Sequence, residues 1–411
     1  MGVLLVAATA CLSGSNSSSS SSGGGPIHFA VLASYTGNFS DVGQAMWEGA
    51  KAGAAAVNAS GGVMGRKLIV DLVDTVGDPA DAVPALNKEL ATNKPVGAIG
   101  PTTSEIFGLQ QILDRNHLPF MFEGGCTCFD NNKDKYLWRS NPSDSQLGVA
   151  MAAWALKQGY KNGVLTFSTE QSAQTLKGIV KDTFTKNGGK ILGEVNLTPA
   201  QSSYRSEILQ VVNTHPDVVF VQTEPTSAGA YLSDFKQLDN LAIPFVGTDL
   251  TAGGDFIKAI TPAVAHDHFV SAVGSSAPGG GADAFNKFYA QTWHHQPLAS
   301  ANYAYDGVVD LALAMDKAGS TDPNAIVTAI PQVSNPPGTK VVTYAAGQTA
   351  IKAGTRINYE GASGPTDYNS FHNVYGPFDM VQSDPTGNLT TLITFTAAQL
   401  QAVNSGKGLP K

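Results

Sequence analysis

Charge is scarce in this chain: Asp, Glu, Lys and Arg make up 14% of 411 residues, where soluble domains usually carry about 25%. Positive charge is the scarcer sign, 25 Lys and Arg against 33 Asp and Glu, for a net charge of −8. That balance argues against nucleic acid and anionic membrane surfaces as partners and leaves small solutes open. Cysteine is nearly absent, with only Cys11, Cys126 and Cys128. Cys126 and Cys128 read as free or bridged structural thiols, because thiol redox motifs use C-x-x-C and no His or Cys cluster accompanies them for a metal. No apolar run is long enough to span a bilayer.

Enzyme signatures are missing as well. The chain has no P-loop and no G-x-S-x-G elbow. Gly61, Gly62 and Gly65 follow a helical pattern rather than a strand, so they cannot cradle a dinucleotide phosphate. His266 with His268, and His294 with His295, lack the acidic or Cys complement of a known metal motif. No metal and no cofactor is expected.

What the chain does have is an alternating α/β pattern. Ile27–Ala33 is an apolar run of strand length; Met46, Gly49, Gly53 and Val57 recur at helical spacing; Lys67–Asp74 returns as a strand. A right-handed βαβ unit of this kind puts the loop Ser34–Asp41 at the carboxyl edge of its sheet, where open α/β sheets bind ligands. Asp78–Asn93 reads as a helix with an Asp cap, and Pro84 should kink it or delay its start. Val96–Ile99 and Pro119–Phe122 read as strands, each followed by a loop on the same edge. In the first loop, Gly100–Ser104, Thr102 and Thr103 sit at a helix N-terminus. They either cap that helix or help hold an anion. The second loop carries Glu123, Cys126 and Thr127.

Tyr136–Asp144 breaks the alternation and reads as a crossing between lobes. A second series then runs to Ala272, with edge loops at Ser168–Ser172, Thr223–Thr226 and Thr248–Thr251. The Gly-rich stretch Gly274–Gly281 reads as a second crossing, followed by amphipathic helices at Ala282–His294 and Asn302–Ala318, a turn-rich stretch Ile357–Phe371 and two late strands. Residues 27–141 with 274–372 are therefore assigned to one lobe, and 142–273 with 373–411 to the other. Ahead of them, Met1–Ala10 is an apolar run ending in small residues before Cys11, and Leu12–Pro26 is rich in Ser and Gly. The pair reads as a shortened export signal and a flexible tether. A frayed N-terminus is the alternative.

These stretches together resemble the type I periplasmic solute-binding proteins, in particular the branched-chain amino-acid-binding group of ABC importers. The resemblance rests on YTGNFSDVGQAMWEGAKAGAAAVNASGGVMGRKL, WRSNPSDSQ, YAYDGVVDLALAMDKAGSTDP and INYEGASGPTDY, in that order along the chain. It implies two Rossmann-like lobes joined by a three-segment hinge and closing on a solute without chemistry. By position, Thr103 falls where the family holds an amino-acid carboxylate, with Cys126 or Thr127 assisting. Asp249 falls where the ammonium is held, and Val42 is a wall position. Ser172 and Glu224 stand where relatives place an aromatic wall residue and an aromatic or neutral side chain, and Glu123 is unusual on its loop. Extra carboxylates on cleft loops suit a solute with additional amine or hydroxyl groups. The implied partners are a small solute, an amino acid or similar, and an ABC permease. A ligand-sensing subunit for a receptor is the alternative. Cys11 falls where a bacterial lipoprotein is acylated, which would make a lipid anchor the only membrane attachment.

Overall fold

A computed structural model describes residues 24–37, 39–238, 242–275 and 280–408; Cys11 and the apolar N-terminal run lie outside them. The first lobe is built on a five-stranded sheet: β1 Ile27–Ala33, β2 Leu68–Asp74, β3 Gly97–Ile99, β4 Phe120–Phe122 and β5 Leu137–Arg139, in the order β2-β1-β3-β4-β5. Every pairing is parallel. β1 is apolar throughout because both faces are covered. Phe29, Val31 and Ala33 point to one side, under the helices Ser40–Ala59, Ala301–Ala318 and Pro323–Ser334. Ala30 and Leu32 point to the other, under Pro79–Thr92 and Thr103–Arg115. Each such fully buried large side chain contributes roughly 1.5–3 kcal/mol of transfer free energy.

The second lobe repeats the pattern with β6 Asn162–Ser168, β7 Lys190–Leu197, β8 Val218–Gln222, β9 Phe245–Gly247 and β10 Phe269–Gly274. A small sheet of β11 Thr339–Val341, β12 Ile357–Gly361 and β13 Gly364–Pro365 lies beside the first lobe's helices. The chain then returns to add β14 Phe378–Ser383 and β15 Leu389–Phe395 to the second sheet. Its order is β15-β14-β10-β9-β8-β6-β7, parallel except that β14 runs against both of its neighbours. The chain thus passes between lobes three times: after β5, after β10 and before β14.

Helices Ser40–Ala59 and Ala301–Ala318 approach so closely that a Cβ on Gly49 would stand 1.9 Å from the Ala301 carbonyl oxygen. Only glycine fits there, and this contact fastens the returning segment to the start of the chain.

Some local expectations are corrected. Pro84 neither delays nor divides its helix, which starts at Pro79 and continues to Thr92. It stands past the N-terminal donors that have no intrahelical partner, so it removes one hydrogen bond from the ladder, a loss the helix tolerates. Tyr136–Asp144 is not only a connection, because Leu137–Arg139 pairs with β4 as a fifth strand. The turn-rich stretch after Ile357 contains β12 and β13.

Candidate functional site

Strands of both sheets end facing a cleft, and a cavity of about 60 Å³ lies there. The first lobe supplies Val42 from the start of helix Ser40–Ala59, Glu123 from the end of β4, and Ser300 and Tyr303 from the start of helix Ala301–Ala318. Asn141 and Pro142 come from the first crossing. The second lobe supplies Asp144 and Leu147 on helix Asp144–Lys157, Asp249 after β9, Gly274 at the end of β10 and Phe378 at the start of β14. Short loops after parallel strands put these residues at one edge, as the βαβ connection requires.

Three carboxylates meet in this cavity without a Lys, Arg or His beside them in its lining. Burial pushes the Glu123 carboxyl up to about 8. Asp144 is raised to about 7, by burial first and then by repulsion from Asp249, with Arg139 opposing. Asp249 touches solvent, yet the surrounding protein raises it too. Glu123 Oε1, Asn141 Oδ1 and the Tyr303 hydroxyl are buried and have no hydrogen-bond partner. Tyr303 itself is 4% exposed, and its hydroxyl crowds the second crossing: a Cβ on Gly274 would come within 1.5 Å of it.

A stability prediction follows from the acids. Glu123 and Asp144 hold protons more tightly in the folded chain than in the unfolded one, so the folded state carries more protons between their ordinary values of 4.5 and 3.8 and the raised values of about 8 and about 7. Stability then falls as pH rises through that window. The solute-free protein is expected to melt at a lower temperature at pH ~8.5 than at pH ~5.5, with a shallower slope for Glu123→Gln. Equal slopes in thermal denaturation would refute this origin.

Behind the cavity, Arg139 is fully buried. Its Nη1 donates to the carbonyls of Gly125 and Cys126 at 3.2 and 3.0 Å, its Nε to Asn373 Oδ1 at 2.8 Å, and its Nη2 to Asp130. One guanidinium thereby fixes the loop after Glu123 and joins the first crossing to the third. Glu105, also fully buried, accepts hydroxyl bonds from Ser34, Thr75 and Thr102. It gathers the loops after β1, β2 and β3. Its sequence signal was the T-x-x-E spacing of a capping box from Thr102.

The residues singled out from sequence fall into two groups. Val42, Glu123 and Asp249 line the cavity. The others are not in its lining. Thr102 caps its helix, donating its N–H to Glu105 at 3.2 Å, and Thr103 Oγ1 accepts the Cys126 N–H at 3.3 Å. Cys126 is fully buried and joined to Cys128 in a disulfide, so its sulfur offers no donor. Thr127 opens the short 3₁₀ turn Thr127–Phe129. The Ser172 carbonyl accepts the Thr175 hydroxyl within helix Gln171–Lys186. Glu224 turns into its own lobe, where it takes the Thr223 hydroxyl at 2.8 Å, the Ala200 N–H at 3.2 Å and the Ser227 hydroxyl. Sequence reasoning missed Tyr303, Ser300, Asn141, Asp144 and Phe378. Of these, Asn141 and Asp144 lie in the WRSNPSDSQ stretch and Tyr303 opens YAYDGVVDLALAMDKAGSTDP, which were the available signals.

Known proteins are similar to this chain in sequence and in fold. The chain is similar to the Leu/Ile/Val-binding protein BraC3 of Rhizobium johnstonii, at 25% identity over 324 residues covering 74% of this chain and 83% of the relative. It is similar to the chemotactic signal transduction system substrate-binding protein BasB of Halobacterium salinarum, at 22% identity over 75% of each chain. In fold it matches the branched-chain amino acid transporter substrate binding protein LivJ of Streptococcus pneumoniae, solved in complex with isoleucine. The TM-score is 0.75 at 18% identity, over 90% of this chain and 99% of that one. A family model described as periplasmic binding protein matches residues 26–388, across both lobes and every crossing, and the chain belongs to that family.

Proposed function

We propose that this protein captures a small polar solute, an amino acid or a close relative, between its two lobes and delivers it to an ABC permease. The observation that carries this reading is the cavity lined from both lobes and from the crossings. A solute there touches groups that separate when the lobes part, so it stabilises the closed form by its differential affinity. In this reading Asp249 receives the ammonium by charge-assisted hydrogen bonds. The solute leaves unchanged; the chain is not an enzyme. Family membership places it outside the cytoplasm, and acylation at Cys11 would hold it at the membrane through the Ser/Gly tether.

The test is a thermal-shift screen of the full chain, stripped of solute by unfolding and refolding, against amino acids, amines and small carboxylates. A cognate solute at about a hundred times its Kd is expected to add about 2.7 kcal/mol of stability, with the solute recovered unchanged. Turnover of the solute would overturn the reading. Delivery to a receptor instead of a permease is a second reading, supported by the similarity to BasB. Co-purification from membranes with one partner or the other separates them.

A further inference from the structure

We propose that the solute carries two cationic nitrogens, one held at Asp249 from the second lobe and the other at Glu123 with Tyr303 and Asn141 from the first lobe and the hinge. This rests on the reading of the protein as a solute-capturing clamp and sharpens its ligand class from amino acids in general to diamines and diamine-like solutes.

Three observations support it. First, the unpartnered atoms in the cavity are Glu123 Oε1 and Asn141 Oδ1, which accept hydrogen bonds once Glu123 is ionised, and the Tyr303 hydroxyl, which can accept as well as donate. An ammonium offers three donors and no acceptor, which matches a set of acceptors better than a carboxylate or an alkyl group does. Second, several donors near Glu123 that could seat a carboxylate are already used. The N–H groups of Thr102, Glu123 and Cys126 go to Glu105, to the Pro101 carbonyl at 3.1 Å and to Thr103, and Arg139 is occupied behind the wall. Third, carboxylates stand on both sides of the closure: Glu123 on the first lobe, Asp144 and Asp249 on the second. Above the raised values of Glu123 and Asp144, about 8 and about 7, all three are ionised, and two cations then offset more of this charge in a partly desolvated cleft than one does. Among the described residues no group of three or more His, Cys, Asp or Glu is placed to hold a metal ion, so an organic cation spanning the cleft is the fitting occupant.

The charges around these groups favour the same class. Tyr303 feels Glu123, Asp249, Asp379 and Asp306, and all four are acidic. Asp144 feels Asp249 and Asp130, against the single opposing charge of Arg139. Deprotonation of Glu123 and Asp144 strengthens binding of a dication, so affinity rises with pH in the range where both titrate.

The experiment is titration calorimetry on the refolded, solute-free full chain with 1,4-diaminobutane, lysine, leucine and glutamate at pH ~6 and ~8.5. The expected result is binding of 1,4-diaminobutane, lysine or both, tighter at the higher pH. Glu123→Gln is expected to weaken it about tenfold or more. Circular dichroism melting checks that the variant folds. If it does not, Tyr303→Phe, which removes one acceptor, is expected to weaken the same dication. Binding of leucine while both dications stay silent overturns the inference and leaves solute capture standing. Glutamate binding that weakens with rising pH overturns it too, since Glu123 would then act as a protonated donor to a carboxylate. Silence of all four overturns the inference, and the broader thermal screen then decides whether the clamp reading fails with it.

Discussion

Asp249→Ala is expected to lower affinity for the cognate solute by about a hundredfold or more while leaving the fold intact. Truncating one member of a desolvated charge pair costs roughly 2–5 kcal/mol, much of it from the partner charge left unpaired. The fold survives because Asp249 is bonded locally, its Oδ1 accepting the Leu250 N–H at 3.1 Å. Removing an acid that repels Asp144 also relieves the empty cleft. Calorimetric titration and thermal melting, run side by side, separate the two effects. Asp249→Asn, which keeps an acceptor but no charge, should fall between the variant and the parent. Unchanged affinity in Asp249→Ala would remove this residue from the binding site.

Arg139→Met is expected to produce the largest loss of stability among these changes, about 3–5 kcal/mol, because several buried acceptors are left unpaired at roughly 1–3 kcal/mol each, while the Asp130 carboxylate it also loses is 30% exposed. At roughly 2–4 °C per kcal/mol for lobes of this size, that is a fall in melting temperature of roughly 6–20 °C. The cost has identifiable parts. Asp130 loses its cation, the carbonyls of Gly125 and Cys126 lose a donor, and Asn373 loses its link to the first lobe. Arg139→Lys restores the charge but not the planar fork, so it should recover only part of the loss. A shift of less than about 1 kcal/mol in denaturant melts would show that the network reorganises around the gap.

Much of the fold is legible in the sequence because period and punctuation coincide. β1 occupies the residues its apolar run marks, Ile27–Ala33. Gly61 and Gly62 lie just past the end of helix Ser40–Ala59, and the cap at Asp78 lies where Pro79–Thr92 begins. Short elements are harder to see. Helix Tyr344–Lys352 and strand β5 are brief, and tertiary pairing decides them more than pattern does. At the cavity the limit is different. Periodicity assigns a residue to a loop or a face but not the direction of its side chain. Glu123 and Glu224 both occupy loops after strands, yet Glu123 faces the cavity and Glu224 turns back to Ala200 and Ser227. Tyr303 sits one residue from the apolar stripe that begins at Ala304, and its role depends on meeting Gly274 from the other lobe. No local pattern encodes that meeting.

The close seating of Gly49 against Ala301 also has a consequence for biogenesis. When synthesis reaches the end of β5, the first sheet is complete, but one side of helix Ser40–Ala59 still lacks its cover. That cover, Ala301–Ala318, leaves the ribosome roughly 10–30 s later at ordinary elongation rates. Meanwhile β6 to β10 emerge as an unbroken run, so the second lobe can assemble its parallel strands while the first waits. For an exported chain the same order holds as it emerges on the far side of the membrane: the first lobe presents an uncovered helix until Ala301–Ala318 arrives, and folding factors have their longest opportunity there.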